Sequence, residues 1–167
     1  MMHSMKIQIV DSDDNLICVK EHSDVDYSTE IYRVSALWLT NSKGQVLLAK
    51  RAAVKDKDPG KWGPAVAGTL EDGETYGTNI YKEAEEEIGL TGVRFFEHKK
   101  VFMRYPRKYF CQWYKASVDR GVEEFVLQAD EVEELAWVKV VDLKQNLKDN
   151  PTMYTSNFQH VIDDLEI

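Results

Sequence analysis

Apolar and polar positions along this chain follow two different periods, and the changes between them mark out the predicted elements. Residues 6–10 and 16–19 are apolar-rich and flank the turn-forming Asp11, Ser12, Asp13, Asp14 and Asn15, which predicts a hairpin. Residues 34–40, the turn Asn41, Ser42, Lys43, Gly44, and residues 45–49 predict a second strand pair. Residues 55–63 are charged and turn-rich and read as a loop. Further strands are predicted at 93–96, 100–103, 109–114 and 136–140, and closing helices at 142–148 and 156–165. In the last of these Phe158, Val161, Ile162 and Leu165 recur at helical spacing behind Ser156, a residue type that caps helix starts. That stripe reads as a helix packed on the core. Strands in excess with helices between them predict an α/β fold, a sandwich around a mixed sheet.

One helix has a second periodicity. Residues 75–88 have helical character and end at Gly89, the residue type favoured just past a helix C-terminus. Gly77, Thr78 and Asn79 are poor helix formers, so the start of the helix is less sharply defined than its end. On a wheel of about 100° per residue, Ile80, Ala84 and Ile88 gather on one stripe while Glu83, Glu86 and Glu87 share another face. Glu85 points to the far side. Like charges at these spacings repel by roughly 0.2–0.5 kcal/mol per pair, and the last turn of a helix prefers cations. A hard cation such as Mg²⁺ or Mn²⁺, which takes carboxylate oxygens as ligands, would relieve both penalties. A solvated acidic face is the plain alternative, and the spacing alone does not choose between them.

Composition narrows the classes. At 167 residues the chain is the length of one ordinary domain, and 43% hydrophobic with 30% charged residues is a globular balance. A formal charge of −8 argues against extended nucleic-acid binding through a basic surface. It leaves phosphate-bearing small molecules open, because a bound cation reverses the local sign. Cys18 and Cys111 form no CxxC pair, which favours a reducing compartment. Residues 1–6 lack the apolar run of a signal peptide, and no stretch approaches transmembrane length. A cytoplasmic protein without a membrane partner is the expectation.

The longer pattern around the acids separates the two readings of that helix. Gly68, Glu74, Glu83, Glu86, Glu87 and Gly89, with Ala84 and Leu90 at aliphatic positions, closely resemble the Nudix box, Gly-x5-Glu-x7-Arg-Glu-U-x-Glu-Glu-x-Gly-U, where U is aliphatic. At about 7% frequency per residue type, six matches in register at one start point have a chance probability on the order of 10⁻⁷. The motif's Arg is Lys82 here, which keeps the charge but loses the planar fork that binds two acceptors. Arg51, the run 57–62 and the run 131–137 are similar to the usual succession in Nudix proteins. The resemblance implies a Nudix-type α/β/α sandwich, with a core at 34–143, an N-terminal hairpin and lead-in at 1–33, and a helical closure at 144–167. The opening hairpin also resembles a branch that contains isopentenyl-diphosphate isomerases and related hydrolases.

The same resemblance implies a chemistry. Nudix hydrolases cleave a phosphoanhydride bond in a nucleoside diphosphate linked to another moiety, such as a nucleotide, ADP-ribose or a sugar nucleotide. By resemblance, Glu83, Glu86 and Glu87 are ligands of Mg²⁺ (or Mn²⁺), joined by the backbone carbonyl of Ala67, and Glu83 or Glu86 activates water. Lys82 is carried over as a catalytic residue at the position whose Arg holds the loop before the helix, an ordinary exposed lysine being the plain alternative, and Gly68 and Glu74 as support for that loop. For the substrate, Arg51, Trp62, Arg104 and Arg107 are the candidates, the last two in a basic-aromatic cluster with Tyr105, Lys108 and Tyr109. Each has a plain alternative: a solvated loop for the arginines, packing for the tryptophan.

Two rivals stand beside this reading. An isopentenyl-diphosphate isomerase needs a cysteine just before the position of Gly68 and a histidine just after it, and this chain has Ala67 and Thr69 there. A non-catalytic nucleotide-binding Nudix module commonly lacks box glutamates, all of which are present here. The oligomeric state is left open, a homodimer included.

Overall fold

The computed structural model describes residues 4–167; the part of the signal-peptide reading that concerns residues 1–3 lies outside them. The chain order is β1 (Lys6–Val10), β2 (Leu16–Glu21), β3 (Ile31–Thr40), β4 (Gln45–Arg51), β5 (Trp62–Pro64), β6 (Val66–Thr69), α1 (Tyr76–Ile88), β7 (Phe96–Met103), β8 (Tyr109–Ser117), β9 (Val132–Lys139), α2 (Val140–Asp149) and α3 (Phe158–Asp164). The ten residues of β3 organise the mixed sheet. One edge of β3 pairs in parallel with β8 from Tyr32 to Thr40, and the other meets β1, β6 and β4 in turn, all antiparallel. Beyond these, β2 extends β1, β7 extends β8, and β4 carries both β5 and β9.

Strict alternation along the central strands builds two cores. Ala36 and Trp38 of β3, Val46 and Leu48 of β4, and Cys111 and Trp113 of β8 pack against Leu143 and Leu147 of α2 and Phe158, Val161 and Ile162 of α3. The intervening Leu37, Leu39, Leu47, Ala49, Tyr114 and Ala116 pack against Ile80, Ala84 and Ile88 of α1. Strands buried on both faces read as continuous apolar runs, and helices on both faces make the α/β/α sandwich.

The expected elements stand, with corrections at their edges. The first hairpin forms as β1 and β2. The second pair touches only at Thr40 and Val46, because β4 diverges to pair with β9 over most of its length. The segment expected as a strand at 93–96 is a loop until Phe96, and β7 runs unbroken through His98 and Lys99 to Met103. Gly92, at φ 72°, turns the chain there, a conformation that a side chain disfavours. The loop predicted at 55–63 gives way to β5 at Trp62, and β5 and β6 are too short to leave a periodic signal. Ser156 does not cap α3. Asn157 occupies that position without a side-chain cap bond, and Ser156 Oγ donates to Asp58 Oδ2 at 3.2 Å instead.

The poor formers at the head of α1 have a use. Thr75 Oγ1 accepts from the Thr78 N–H at 3.1 Å and Thr78 Oγ1 accepts from the Thr75 N–H at 2.9 Å, a reciprocal capping box. Gly89 ends the helix in the left-handed region at φ 64°. The acidic face is thereby fixed in phase over the end of β6.

Candidate functional site

A cavity of about 640 Å³ opens between α1, β6 and the loops after β4 and before β9, and its floor is the inner face of β3 and β8. Glu83 and Glu87 reach it from α1, Glu131 from the lead into β9, and Arg51, Lys55, Lys57 and Arg107 from the remaining sides. Tyr32, Cys111 and Trp113 belong to the floor. The cavity therefore has an acidic wall and a cationic wall.

The approach of Glu83 to this wall depends on Gly68. A Cβ built at Gly68 would lie 2.3 Å from Glu83 Cγ, 2.4 Å from Cδ and 2.6 Å from Oε1, closer than real contacts allow. A glycine inside a strand often marks such a close approach. Beside it, Asn79 is fully buried and joins four groups. Its Nδ2 donates to Glu74 Oε2 at 2.9 Å, to Thr69 O at 3.2 Å and to Glu83 Oε1 at 3.3 Å, and its Oδ1 accepts from the Ser35 hydroxyl. Asn79 lies one helical turn before Glu83, where sequence periodicity shows only a weak helix former.

Burial and mutual repulsion raise the proton affinity of the acidic wall. Glu83 is pushed up to about 7 by burial, with Glu86, Glu74 and Glu131 adding and Lys82 opposing. Burial lifts Glu87 well above the usual carboxylate range, with Glu83 and Glu131 adding and the Ala67 N–H and Lys55 opposing. Lys55 Nζ lies 2.6 Å from Glu131 Oε2 and compensates that one acid. On the opposite wall, burial and then the charges of Arg107 and Arg51 depress the Lys57 ammonium. Asp58 offsets part of that effect, and the excess of carboxylates on one wall and of Arg51, Lys57 and Arg107 on the other suits ligands of opposite sign.

Ala67 is oriented by the phase of its ladder. The Leu70 N–H donates to Arg33 O at 3.0 Å, so Ala67, three residues earlier, stands at a pair that exchanges no bonds with Ala36. Its N–H and C=O both face away from β3, and the N–H meets the Glu87 carboxylate. Glu83, Glu87 and the Ala67 carbonyl thus present oxygen donors on one side of the cavity, a donor set that suits a hard divalent cation. Glu86 departs from the expected trio, being exposed and absent from the cavity lining. Among the described residues no three Asp, Glu, His or Cys side chains stand close enough together to enclose an ion.

The other sequence candidates divide. Arg51 and Arg107 line the cavity. Arg51 Nε donates to Lys57 O at 2.8 Å, and Arg107 stacks over the Tyr27 ring at 4.0 Å. Arg104 does not line it, being exposed with its guanidinium 4.9 Å from the Phe102 ring. Trp62 packs against the α2/α3 core, as its plain alternative held. Lys82 also lies off the cavity: its Nζ is 2.6 Å from Glu74 Oε1, 2.9 Å from Glu71 Oε1 and 3.6 Å from Glu83 Oε1. Those neighbours raise its pKa against the cost of burial. Lys82 stands as a brace against the loop before the helix, the place expected of the motif's Arg, and does not reach the cavity. Glu74 completes that brace, with Oε2 accepting from the Glu71 N–H at 2.8 Å. Lys55, Lys57 and Asn79 are not among the residues that the sequence nominates for the site, although Lys57 opens the run 57–62 of the family resemblance.

Comparison with known proteins agrees with the geometry. A family model described as NUDIX domain matches residues 30–157, and the chain belongs to the Nudix hydrolase family. It is 29% identical over 135 residues to an uncharacterised Nudix hydrolase of Yersinia pestis, covering 79% of this chain and 71% of the relative. It is 26% identical over 161 residues to an isopentenyl-diphosphate Δ-isomerase of Photorhabdus laumondii, covering 94% and 90%. A crystal structure of a Deinococcus radiodurans protein superposes with a TM-score of 0.86 at 17% identity, covering 97% and 99% of the two chains. At that identity the likeness shows the fold.

Proposed function

We propose that this protein is a divalent-cation-dependent pyrophosphohydrolase acting on a nucleoside diphosphate linked to a second moiety. The observation that carries the reading is the pairing of Glu83 and Glu87, whose burial and mutual repulsion outweigh Lys82 and Lys55, with Arg51, Lys57 and Arg107 across one cavity. Glu83, Glu87 and the Ala67 carbonyl would hold Mg²⁺ or Mn²⁺, with Glu86 at the solvent side. Bound there, the cation would neutralise phosphate charge and make coordinated water more acidic. Arg51, Lys57 and Arg107 hold the phosphate oxygens opposite, by charge-assisted hydrogen bonds. Glu83 or Glu86 accepts the proton of the attacking water. Gly68, Asn79, Glu74 and Lys82 keep Glu83 in place. ADP-ribose stands among the candidate substrates, since a Nudix domain of Shewanella oneidensis with a TM-score of 0.63 was crystallised with it.

The test is a panel of nucleoside di- and triphosphates, ADP-ribose, sugar nucleotides and dinucleoside polyphosphates, each with Mg²⁺ or Mn²⁺. Turnover of at least one, lost in Glu83→Gln and Glu87→Gln with the fold intact, is the expected result. Near-normal turnover in both variants would remove the proposed site, and tight nucleotide binding without turnover would favour a binding module.

One observation supports an isomerase as the second reading: Cys111, distant in sequence, lines the same cavity. Burial pushes its thiol far above the ordinary range, so it is a poor source of thiolate. Ala67 and Thr69 still stand where the isomerases place a cysteine and a histidine. Incubation with isopentenyl diphosphate and detection of the dimethylallyl isomer decides the matter.

A further inference from the structure

Residues 6–21 precede the range matched by the family domain, yet the hairpin they form is bonded to the loop that leads into the acidic helix. Gln8, 4% exposed, is the link. Its Nε2 donates to two backbone carbonyls, Glu71 O at 2.7 Å and Glu74 O at 2.8 Å, so one side chain fixes both ends of the turn 71–74. The backbone repeats the attachment, with the Gln8 N–H on Leu70 O at 3.3 Å and the Asp72 N–H on Lys6 O at 2.9 Å.

Gln8 is itself held. Its Oε1 accepts from Arg33 Nη1 at 2.8 Å, which also fixes which end of the amide faces the loop. Arg33 Nε donates to Asp14 Oδ1 at 2.7 Å and Nη2 to Asp14 O at 2.5 Å. Asp14 sits in the β1–β2 turn with φ 64° and takes two further bonds, from Lys100 Nζ at 2.6 Å and from the Tyr76 hydroxyl at 3.1 Å. Tyr76 opens α1, and Lys100 comes from β7. The hairpin, β3, β7 and the head of α1 therefore meet at one carboxylate. Arg33 and Lys100 hold that carboxyl below its usual range against the cost of burial.

None of Gln8, Asp14, Arg33, Tyr76 and Lys100 lines the cavity. What they reach is the turn whose Glu74 carboxylate binds Lys82 and Asn79, which in turn bond Glu83. We infer that the N-terminal hairpin is a clamp on the cation-binding loop, with Gln8 as a positioning residue that sets Glu83 through the turn 71–74. The inference rests on the proposed cation site. A side chain that only filled space would not need two carbonyl acceptors and a guanidinium partner, whereas a buried amide with all its bonds made resists displacement in every direction.

The test uses the full chain and has two readouts besides turnover: Mn²⁺ affinity, from the electron paramagnetic resonance of free Mn²⁺, and amide hydrogen exchange of the metal-free protein. Gln8→Met keeps the length and removes the donors. It should weaken Mn²⁺ binding at least fivefold and speed exchange at the Asp72 and Glu74 amides. Asp14→Asn, which turns an NH₂ toward Lys100 and leaves the core untouched, should move both readouts in the same direction by two- to threefold. Leu147→Ala in α2 is the stability control, expected to lower the unfolding midpoint with Mn²⁺ affinity unchanged. Mn²⁺ bound by both hairpin variants as by the wild type overturns the clamp alone. A wild-type chain that binds no Mn²⁺ removes the proposed site, and the clamp's purpose with it.

Discussion

Gly68→Ala is the sharpest test of how Glu83 is placed, because one methyl group meets one side chain. The added Cβ would stand 2.3 Å from Glu83 Cγ, whereas carbon atoms rest about 3.5–4.0 Å apart. One of the two must retreat by more than about 1 Å to restore contact. β6 is held to β3 through four residue pairs and to α1 by packing, so the glutamate moves. Because Cγ itself is struck, the change falls at χ1 and takes the carboxylate off Asn79 Nδ2, now 3.3 Å away. Overpacking of this kind costs about 1–3 kcal/mol of stability, and a reacting group displaced by about 1 Å costs on the order of 100-fold in rate. The assay is kcat on the best substrate of the panel, with Mn²⁺ affinity and urea denaturation beside it. A double-mutant cycle isolates the cause: in a Glu83→Ala background Gly68→Ala should be nearly silent, since nothing remains to strike. Wild-type turnover in Gly68→Ala, or an equal loss in both backgrounds, would falsify the placement argument.

Four further outcomes follow from the same contacts. Asn79→Asp keeps the shape but sets a third carboxylate between Glu74 and Glu83, and should cost about 2–4 kcal/mol in urea denaturation and at least tenfold in kcat. Lys82→Arg should keep the Glu71 and Glu74 bonds and near-wild-type turnover, while Lys82→Met should lower the urea midpoint by about 1–2 kcal/mol of stability; equal behaviour of the two would show that the brace has no role. Arg107→Ala should raise KM more than it lowers kcat, and Arg104→Ala should leave both within twofold; the reverse order in steady-state kinetics would move the phosphate-binding wall. For the chelator-treated protein, Glu83 at about 7 lies above its ordinary 4.5, so between those pH values the folded state keeps a proton that the unfolded chain has lost. Stability therefore falls as pH rises through that window, by about 3 kcal/mol from this group, and Glu83→Gln should remove that part of the slope between denaturation curves at pH 5 and pH 8.

What the sequence showed and hid follows the range of the interactions. The acidic face was legible because α1 carries Ile80, Ala84, Glu83 and Glu87 within three turns, where periodicity alone sets direction. Gly68 and Glu74 were legible through the register of the motif, although the reason for a glycine there, the passage of Glu83, needed coordinates. Trp62 and Arg104 looked like substrate residues because aromatic and basic side chains in loops often are. The first turned out to be packed on a core, and the second stacked on Phe102. Asn79 and Gln8 carry no mark of their roles in the sequence, since the Ser35 partner of Asn79 and the Glu71 and Glu74 carbonyls that Gln8 bonds lie far along the chain. The interval 97–99 between the two segments predicted around β7 covers the place where its pairing with β8 shifts register, between Glu97 and Lys100.

This division has a consequence for specificity. Glu83 and Glu87 are placed mainly from within 22 residues, Gly68 to Gly89, which Gln8, Arg33 and Ser35 hold from outside. The cationic wall and the floor are assembled from β3, from Arg51 at the end of β4 and the loop after it, from β8, and from the loop between β7 and β8 that carries Arg107. Of these, the Arg107 loop lies across the cavity from Glu83 and Glu87, whereas Lys55 of the loop after β4 is tied to Glu131 at 2.6 Å. Relatives sharing the fold include both Nudix hydrolases and an isopentenyl-diphosphate isomerase at similar identity. Cys111 faces the cavity as well, and burial with the charge of Asp164 raises its thiol and withholds a thiolate. A basic residue brought beside Cys111, by replacing Val34 or Trp113 of the same floor, is the change that would bring its pKa down. Swaps of the Arg107 loop should instead alter which diphosphate is held while leaving Mn²⁺ affinity as it was.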